Sequence, residues 1–325
     1  MPAQIKPVQT QYELKPGPAT REAFGRALVE LGRENRDIVV CDADLSKSTM
    51  TTYFAKEFPE RFISCGIAEA NMVGIGCGLA YAGKIPFVSS FSAFVMNKGF
   101  EQLRASAAYP HVNLKVVGTH SGISIGEDGP SQMSVEEIGL ACSLVGFVVI
   151  APADEASTKA LVRAAAAHVG PVFIRTGRPK APIIYTAEQK FEIGKSIEVV
   201  SGDGATIIAG GLLVAEAIRA SMALEGEGIS VRVIDMHTVK PIDREAIGRA
   251  AAETGAIVVA EEHLVDGGLG VRVAQVVAET HPCPMEFVGL HDYAESGQPD
   301  ELLDKYGLVG RDVAVAVRKV LVRKR

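Results

Sequence analysis

Glu69 is an isolated acid in an otherwise small and apolar stretch of the chain. It is the only acid in the segment FISCGIAEANMVGIGCGLAYAGKIPF (residues 62–87), and the next charged residue is Lys84. A carboxylate in such surroundings is costly if it is buried without a partner. The pattern therefore indicates a functional carboxylate, although the helix dipole also favours an acid in the first turn of a helix.

The segment THSGISIGEDGPSQMS (residues 119–134) is the most unusual loop of the sequence. It follows an apolar strand and contains His120, Glu127, Asp128 and three glycines. A loop of this length inside a compact domain is usually functional, and glycine allows a ligand to approach the backbone closely. The alternative is a solvated crossover turn. We favour a functional loop because His120 stands directly at the end of a predicted strand.

Phe91 and Phe94 lie three residues apart, just after another apolar strand. By themselves they are typical of core residues, but they could also stack on a flat heteroaromatic ligand. Arg21 begins the first predicted helix and Arg175 ends a predicted strand. An arginine that faces a ligand crevice suits an anion, whereas a surface ion pair is the alternative for each. Lys47 and Ser48 could add donors to the same anion.

The sequence contains no metal-ligand cluster, nucleophile elbow or phosphate P-loop. The segment SGDGAT (residues 201–206) resembles a metal–diphosphate turn, but a turn before the next strand explains it better. No asparagine follows Asn113, so the second metal ligand of such a motif is missing. His237 and His263 are interpreted as structural or surface residues. Enzymes that use an organic cofactor often lack metal clusters, nucleophile elbows and P-loops, because the cofactor carries the difficult chemistry.

Apolar strands alternate with amphipathic helices along most of the chain. The pattern predicts an α/β protein with two domains, each a mainly parallel sheet flanked by helices. We expect an N-terminal arm (residues 1–18), a first domain (19–180), a linker (181–196) and a smaller second domain (197–325). Ligands of such sheets bind beyond the carboxyl ends of the strands. The candidate residues at predicted strand ends are Asp42, Asp44, Phe91, His120 and Arg175.

Composition narrows the class of protein. The chain has 325 residues, 47% of them hydrophobic, and a net charge of −6. It shows no basic stripe, so nucleic acid and anionic membranes are not expected as partners. Five widely spaced cysteines fit reduced thiols. The N-terminus has no apolar core of a secretory signal, and we therefore expect a cytoplasmic protein.

Five segments together resemble transketolase: FISCGIAEANMVGIG, VSSFSAF, GTHSGISIGEDGPSQMSVEEI, FIRTGRP and TVKPID. The resemblance runs from about Ala19 to the C-terminus and covers the pyrimidine-binding and C-terminal domains of that family. It implies thiamine diphosphate as the cofactor. The family's preceding domain, which binds the diphosphate and a divalent metal, has no counterpart here. The resemblance thus implies the C-terminal subunit of a split enzyme, whose N-terminal subunit would mainly bind the diphosphate and Mg²⁺ or Ca²⁺.

The resemblance also implies roles for single residues. The glutamate of GIAE, Glu69, would be catalytic: it would contact the ring nitrogen of the aminopyrimidine and favour the imino tautomer that removes the thiazolium C2 proton. Phe91 and Phe94 would hold the aminopyrimidine, and Asp44 would lie near it. His120 would be a second catalytic residue, close to the substrate.

Further positions correspond to substrate contacts in the family. Asp128 would bind a sugar hydroxyl, and Gln132 stands where many transketolases have histidine. The residues implied to hold the sugar phosphate are Arg21, Ser48 and Arg175. The helix after Glu69 carries Gly74, Gly76 and Gly78, and we expect it to pair across an oligomer interface.

The first hypothesis is a subunit that moves a two-carbon ketol unit from a ketose phosphate to an aldose phosphate, within a heterotetramer of two copies of each subunit. Within the same superfamily, the alternatives are a beta subunit of a 2-oxo acid dehydrogenase and a transketolase-like enzyme for an unusual sugar. The implied phosphate contacts argue against the 2-oxo acid enzyme. From another class, a catalytically silent partner is the third hypothesis, and the intact candidate residues speak against it.

Overall fold

The computed structural model describes residues 14–324. The predicted N-terminal arm therefore lies mostly outside the described residues. The strands are β1 (Pro16–Ala19), β2 (Ile38–Asp42), β3 (Phe62–Ser64), β4 (Ile85–Phe91), β5 (Lys115–Thr119), β6 (Val148–Ile150), β7 (Val172–Arg175), β8 (Lys180–Pro182), β9 (Ile197–Val200), β10 (Ala205–Ala209), β11 (Val231–Asp235), β12 (Thr238–Lys240), β13 (Ile257–Leu264) and β14 (Met285–Leu290). The helices are α1 (Thr20–Glu34), α2 (Ser46–Thr49), α3 (Thr52–Glu57), α4 (Glu69–Tyr81), α5 (Ser92–Lys98), α6 (Phe100–Gln102), α7 (Glu137–Ser143), α8 (Glu155–Ala167), α9 (Leu213–Glu225), α10 (Arg244–Thr254), α11 (Leu269–Glu279), α12 (Pro299–Lys305) and α13 (Gly310–Arg323).

The first domain is built on a seven-stranded sheet of order β12-β6-β7-β5-β4-β2-β3. Strands β2 to β7 pair in parallel, whereas β12 runs antiparallel to β6. The central strands β2, β5 and β7 are buried along their whole length. Parallel strands that are covered on both faces have nearly continuous apolar sequences. This pattern in the sequence is the one from which buried parallel strands were predicted.

The second domain has a five-stranded sheet of order β14-β13-β10-β11-β9. Its strands are parallel except β9, which is antiparallel to β11. Both sheets are flanked by helices, and the predicted α/β class with two mainly parallel sheets is confirmed. Strand β12 comes from the sequence of the second domain but extends the sheet of the first.

The segment predicted as a linker is held in place. Its first residues belong to β8, which pairs antiparallel with β1. The amides of Ile184 and Tyr185 donate to one carboxylate oxygen of Asp154, at 3.0 and 2.9 Å. The Tyr185 hydroxyl donates to Asp235 at 2.7 Å. The linker therefore connects β6–α8 of the first domain to β11 of the second.

Helix α4 turns two of its glycines outward and one inward. A Cβ at Gly76 would press on Val88 and Leu114, whereas Gly74 and Gly78 face open space. The exposed Ile67 and Tyr81 flank this outer face. The close packing that Gly76 permits is thus within the domain, and only Gly74 and Gly78 offer a small-residue surface to another helix.

Two negative findings concern the part of the chain that the structure describes. No helix in residues 14–324 has the length and apolar character needed to cross a bilayer. The same residues contain no group of three or more His, Cys, Asp or Glu side chains placed to hold a metal ion.

Candidate active site

The Glu69 carboxylate lies at the first residue of α4 and is only 2% exposed. Its nearest polar neighbours are loose. The Ser90 hydroxyl, at the end of β4, lies 3.5 Å from Oε1, and the Lys98 ammonium lies 3.5 Å from Oε2. Lys98 is itself half exposed. The parallel sheet and the start of α4 thus bury a carboxylate whose two contacts are both long.

Three aromatic rings form a stack beside this carboxylate. Phe91 ends β4 and Phe94 lies in the first turn of α5, and their ring centroids are 5.5 Å apart at 17°. The imidazole of His120 stacks on Phe91 at 3.9 Å. The Lys98 ammonium lies 4.5 Å from the centroid of Phe94. The arrangement offers a flat apolar surface next to Glu69, which suits a heteroaromatic ring.

His120 follows β5 in the left-handed region of backbone space, at φ 59°, which few residues other than glycine adopt. Its Nε2 lies 3.1 Å from Nη1 of Arg21 and its Nδ1 lies 2.8 Å from the Thr119 hydroxyl. A guanidinium can only donate, so Nε2 accepts and Nδ1 carries the proton. Burial, followed by the charges of Arg21 and Arg178, lowers the pKa of His120 to about 3. The imidazole is therefore neutral at neutral pH.

Arg21 is placed by two contacts at the start of α1. Its Nη1 donates to the carbonyl of Ser48 at 2.8 Å, and the neighbouring Thr20 hydroxyl accepts from the amide of Gly177 at 2.7 Å. Burial and the charge of Arg178 lower the pKa of Arg21. Within residues 14–324 its Nε is buried without a hydrogen-bond partner. An anion bound here would accept a hydrogen bond from this donor and would offset the repulsion between the two arginines.

Of the two acids at the end of β2, the buried Asp42 is structural. Asp42 accepts from the amide of Leu45 at 2.6 Å and from the hydroxyls of Thr49 and Thr51 at 2.7 and 2.9 Å. These bonds fix the turn that carries Ser48. Asp44 is exposed at φ 64°. Among the described residues, it forms no hydrogen bond with another candidate side chain.

Arg175 is buried and already paired. Its Nε donates to Glu137 at 2.5 Å, and its Nη2 donates to the carbonyl of Glu262 in the second domain at 2.7 Å. The side chain is 6% exposed. This geometry argues against the predicted phosphate contact, because the guanidinium is enclosed between the two domains and already paired.

Arg178, three residues later, lies near Arg21 and His120, in the candidate cleft formed by these residues and the aromatic stack. It follows the end of β7, its side chain is one-third exposed, and it donates to the carbonyl of Ile125 and, at 2.8 Å, to Glu127. Its charge acts on both Arg21 and His120. Sequence reasoning missed this residue, although it is the second arginine of the segment FIRTGRP. The available signal was its position past the strand end, where a side chain is free to turn toward the crevice.

The loop after His120 supplies the remaining candidates. Asp128 is exposed, and its charge acts on Arg21. Gln132 is half-buried, and its side-chain oxygen accepts from the Ser131 hydroxyl. Gly126 lies at φ 84°, a left-handed conformation that glycine adopts without strain. The loop therefore turns Asp128 toward Arg21, while Gln132 remains bonded to its neighbour.

The other motifs noted in the sequence lie away from this cleft. In the turn at SGDGAT, Gly202 packs on the backbone of Val231 and the Gly204 amide donates to Ser230 at 2.9 Å. His237 and His263 are buried in the second domain. The SGDGAT turn packs within that domain, whereas the amides of Ala151 and Gly139 in the first domain donate to the carbonyl of His237 at 2.9 Å and to Nε2 of His263 at 3.4 Å.

Comparison with known proteins identifies both domains. The family profile "Transketolase, pyrimidine binding domain" matches residues 16–183, and "Transketolase, C-terminal domain" matches residues 194–313. The chain is 44% identical over 308 residues to the "Putative transketolase C-terminal section" of Methanocaldococcus jannaschii, which covers 94% of this chain and 96% of that one. It is 39% identical over 305 residues to a 6-deoxy-6-sulfo-D-fructose transketolase subunit of Clostridium sp., covering 94% and 95%.

Whole-length transketolases match over about half of their length. Human transketolase is 38% identical over 321 residues, which are 98% of this chain but 51% of the human one. Among solved structures, "Split gene transketolase, inactive beta4 tetramer" aligns with a TM-score of 0.89 at 48% identity, covering 95% of this chain and all of that one. Transketolase from Leishmania mexicana aligns at 0.81 with 25% identity over 46% of its length. The chain therefore belongs to the transketolase family and carries the pyrimidine-binding and C-terminal domains, the part that forms the C-terminal section of split transketolases.

Proposed function

We propose that this chain is the C-terminal subunit of a two-chain, thiamine-diphosphate-dependent transketolase. The enzyme transfers a two-carbon ketol unit from a ketose phosphate to an aldose phosphate. One observation carries the proposal: contacts through the ring of His120 join the aromatic stack beside the buried Glu69 to an arginine pair, Arg21 and Arg178.

The pyrimidine end of the cleft fits the cofactor. Glu69 has only loose neighbours, so its carboxylate can bond a ring nitrogen of an aminopyrimidine held against Phe91 and Phe94. When bound, thiamine diphosphate supplies the thiazolium that stabilises the carbanion of the transferred unit. The role of Glu69 is to hold and exchange a proton at the pyrimidine nitrogen. General acid–base assistance of this kind contributes roughly 10²–10⁴-fold.

The other end of the cleft fits a phosphorylated sugar. Arg178 lies close enough to Arg21 for its charge to lower the pKa of Arg21, and guanidinium groups suit phosphate geometry. We propose Arg178 rather than Arg175 as the second phosphate arginine, with Ser48 beside Arg21. His120, whose ring is neutral, and the carboxylate of Asp128 bond hydroxyl groups of the sugar. Gln132 lies at the edge of this sugar site. The 2-oxo acid dehydrogenase alternative offers no tetrahedral anion for the two arginines.

A partner supplies the rest of the cofactor site. Residues 14–324 contain no cluster suited to a metal ion, and the SGDGAT turn is built into the second domain. We propose that an N-terminal transketolase subunit binds the diphosphate and Mg²⁺ or Ca²⁺. The similar tetramer of beta chains is described as inactive, which supports the expectation that this chain alone does not turn over.

Self-association uses the outer face of α4. Gly74 and Gly78 leave open space there, and Ile67 and Tyr81 are 78% and 69% exposed beside them. Small residues let two helices approach closely, and apolar residues at the rim gain from burial. We propose that two copies pair through this face, giving a heterotetramer of two subunits of each kind.

A sulfonated sugar is a second candidate substrate. One relative at 39% identity is named for 6-deoxy-6-sulfo-D-fructose. A sulfonate is also a tetrahedral anion, so the same two arginines could hold it. The two substrates are separated by comparing kcat/KM for the phosphorylated and the sulfonated ketose in one preparation of the complex.

The test is reconstitution. The purified chain is mixed with the N-terminal transketolase subunit of the same organism, thiamine diphosphate, Mg²⁺, xylulose 5-phosphate and ribose 5-phosphate, and a seven-carbon ketose phosphate is sought by mass spectrometry. We expect product from the mixture and none from either chain alone. Turnover by the isolated chain would overturn the two-chain arrangement. Absence of ketol transfer from both the phosphorylated and the sulfonated donor would overturn the reaction.

A further inference from the structure

Glu262 of the second domain reaches into the loop that carries the candidate substrate residues. It lies near the end of β13 and is 1% exposed. Its Oε1 accepts from the backbone amide of Ser124 at 2.6 Å. Ser124 belongs to a 3₁₀ turn, Ile123–Ile125, between His120 and Asp128. A carboxylate of one domain thus caps a turn in the other.

The loop is shaped to receive this carboxylate. Gly122 lies at φ 82°, and a Cβ there would overlap the Glu262 carboxyl group. On the other side of the turn, Ile123 and Ile125 are fully buried in a cluster with residues of the second domain. The backbone between His120 and Asp128 is therefore closed around Glu262 rather than merely near it.

Glu262 is in turn held by the first domain. Arg175 donates to the backbone carbonyl of Glu262 at 2.7 Å and lies 3.9 Å from its carboxylate. Glu137 anchors Arg175 from the opposite side at 2.5 Å. Burial raises the pKa of Glu262, and the charge of Arg175 opposes that rise. The buried Arg175 therefore fixes the carboxylate that shapes the loop.

We propose that Glu262 is a positioning residue, through which the C-terminal domain sets the placement of His120 and Asp128 for the sugar substrate. This inference rests on the proposed function. It gives the second domain a part in substrate recognition, exerted through the loop between His120 and Asp128.

The experiment compares three variants in the reconstituted two-chain complex. Glu262→Ala removes the acceptor for Ser124, whereas Glu262→Gln keeps an acceptor of the same length. Glu261→Gln is the matched control. Glu261 precedes Glu262 on β13 and is equally buried, but it accepts from the amides of Leu269 and Gly270 within its own domain, both at 2.7 Å.

Glu262→Ala should raise KM for the ketose phosphate by about 10- to 100-fold, the range that follows from losing a hydrogen bond to a charged group. The affinity for thiamine diphosphate, measured by fluorescence titration, should not change, because Glu69 and Phe94 lie on other elements. Glu262→Gln should largely restore KM. Glu261→Gln should leave KM unchanged. Equal effects of Glu261→Gln and Glu262→Ala on KM, or an unchanged KM in Glu262→Ala, would overturn the proposal.

Hydrogen–deuterium exchange of the isolated chain gives a readout independent of activity. The amides of residues 121–128 should exchange faster in Glu262→Ala and at the wild-type rate in Glu261→Gln. Unchanged exchange in Glu262→Ala would overturn the positioning role by itself. If the wild-type complex shows no ketol transfer, the proposed function fails, and the exchange measurement still decides whether Glu262 holds the loop.

Discussion

The two domains end their parallel strands with similar acids and histidines but use them differently. In the second domain, backbone amides bond Glu261 and Glu262 at 2.6–2.7 Å. In the first, the nearest polar atoms to the equally buried Glu69 are 3.5 Å away. A buried carboxylate needs strong partners. Among residues 14–324, Glu69 is the one of these three acids whose carboxylate accepts no backbone amide, and we infer that a ligand can become its stronger partner.

The same contrast separates the two arginines at the end of β7. Arg175 is enclosed by Glu137 and the backbone of Glu262, whereas Arg178 is partly exposed beside Arg21 and His120. Two arginines only three residues apart therefore differ in their contacts: Arg175 links the two domains, whereas Arg178 belongs to a candidate anion site. Residue type and strand-end position are shared by both, and only the partners distinguish them.

The largest expected effect tests the comparison of carboxylates. Glu69→Gln should reduce ketol transfer by roughly 10²–10⁴-fold, because a proton at the pyrimidine nitrogen can no longer be exchanged. Exchange of the thiazolium C2 proton, followed by NMR in the complex, should slow in parallel. Glu261→Gln is the control and should retain the wild-type rate. A wild-type exchange rate in Glu69→Gln would remove this residue from its role.

Arg175→Met should cost about 3–5 kcal/mol of unfolding free energy, because it leaves the buried Glu137 and Glu262 without their cation. Urea unfolding measures the loss. Arg178→Met, whose side chain is partly solvated, should change stability far less. Similar losses of unfolding free energy in both variants would contradict the distinction between the buried Arg175, which links the domains, and the partly exposed Arg178.

Arg178→Met should instead affect substrate binding. Loss of a charge-assisted hydrogen bond of about 1.5–3 kcal/mol should raise KM for a phosphorylated ketose and leave KM for the free ketose nearly unchanged. Steady-state kinetics with both sugars measure the difference. An equal rise for the two sugars would mean that Arg178 does not contact the phosphate.

Both domains bury a neutral histidine, and pH should reveal both. Burial lowers the pKa of His120 to about 3 and that of His237 to about 4. The unfolded chain takes up a proton below about pH 6.5, so each histidine lowers stability as the pH falls through 6.5 toward its folded pKa. His120→Asn and His237→Asn should each flatten this decline by about 1.4 kcal/mol per pH unit.

Urea unfolding at several pH values measures that slope, and asparagine suits the positive φ of position 120. Only His120→Asn should also impair ketol transfer. A slope identical to wild type in either variant would contradict burial of a neutral ring at that position.

The smallest expected effect concerns Lys98, which lies beside both Glu69 and Phe94. In the cofactor-free chain, Lys98 pairs with the Glu69 carboxylate and therefore competes with the cofactor for it. Lys98→Met should therefore tighten thiamine diphosphate binding by about two- to fivefold, the range of an exposed ion pair, and the gain should shrink at high salt. Lys84→Met, which breaks an exposed pair with Asp37, is the control. Unchanged or weaker binding in Lys98→Met would contradict this competition.

Much of the fold could be predicted from local patterns. Continuous apolar runs such as IVVCD and KVVGT indicated buried parallel strands, and the alternation with helices indicated the layers. The placement of β12 could not be predicted, because its pairing with β6 joins residues far apart in the chain. Arg175 and Arg178 could not be distinguished for the same reason, since the partners of Arg175 lie 38 and 87 residues away.

Strand β12 belongs to the second domain in sequence but extends the sheet of the first. This arrangement has a consequence for any attempt to divide the polypeptide. A break introduced in the connecting segment would strip β12 from β6 and leave the bare flank of a sheet, which invites aggregation. The two halves should therefore not survive as separately expressed pieces. Within this polypeptide, the middle is a poor place to cut, however clearly two repeating patterns can be seen in the letters of its sequence.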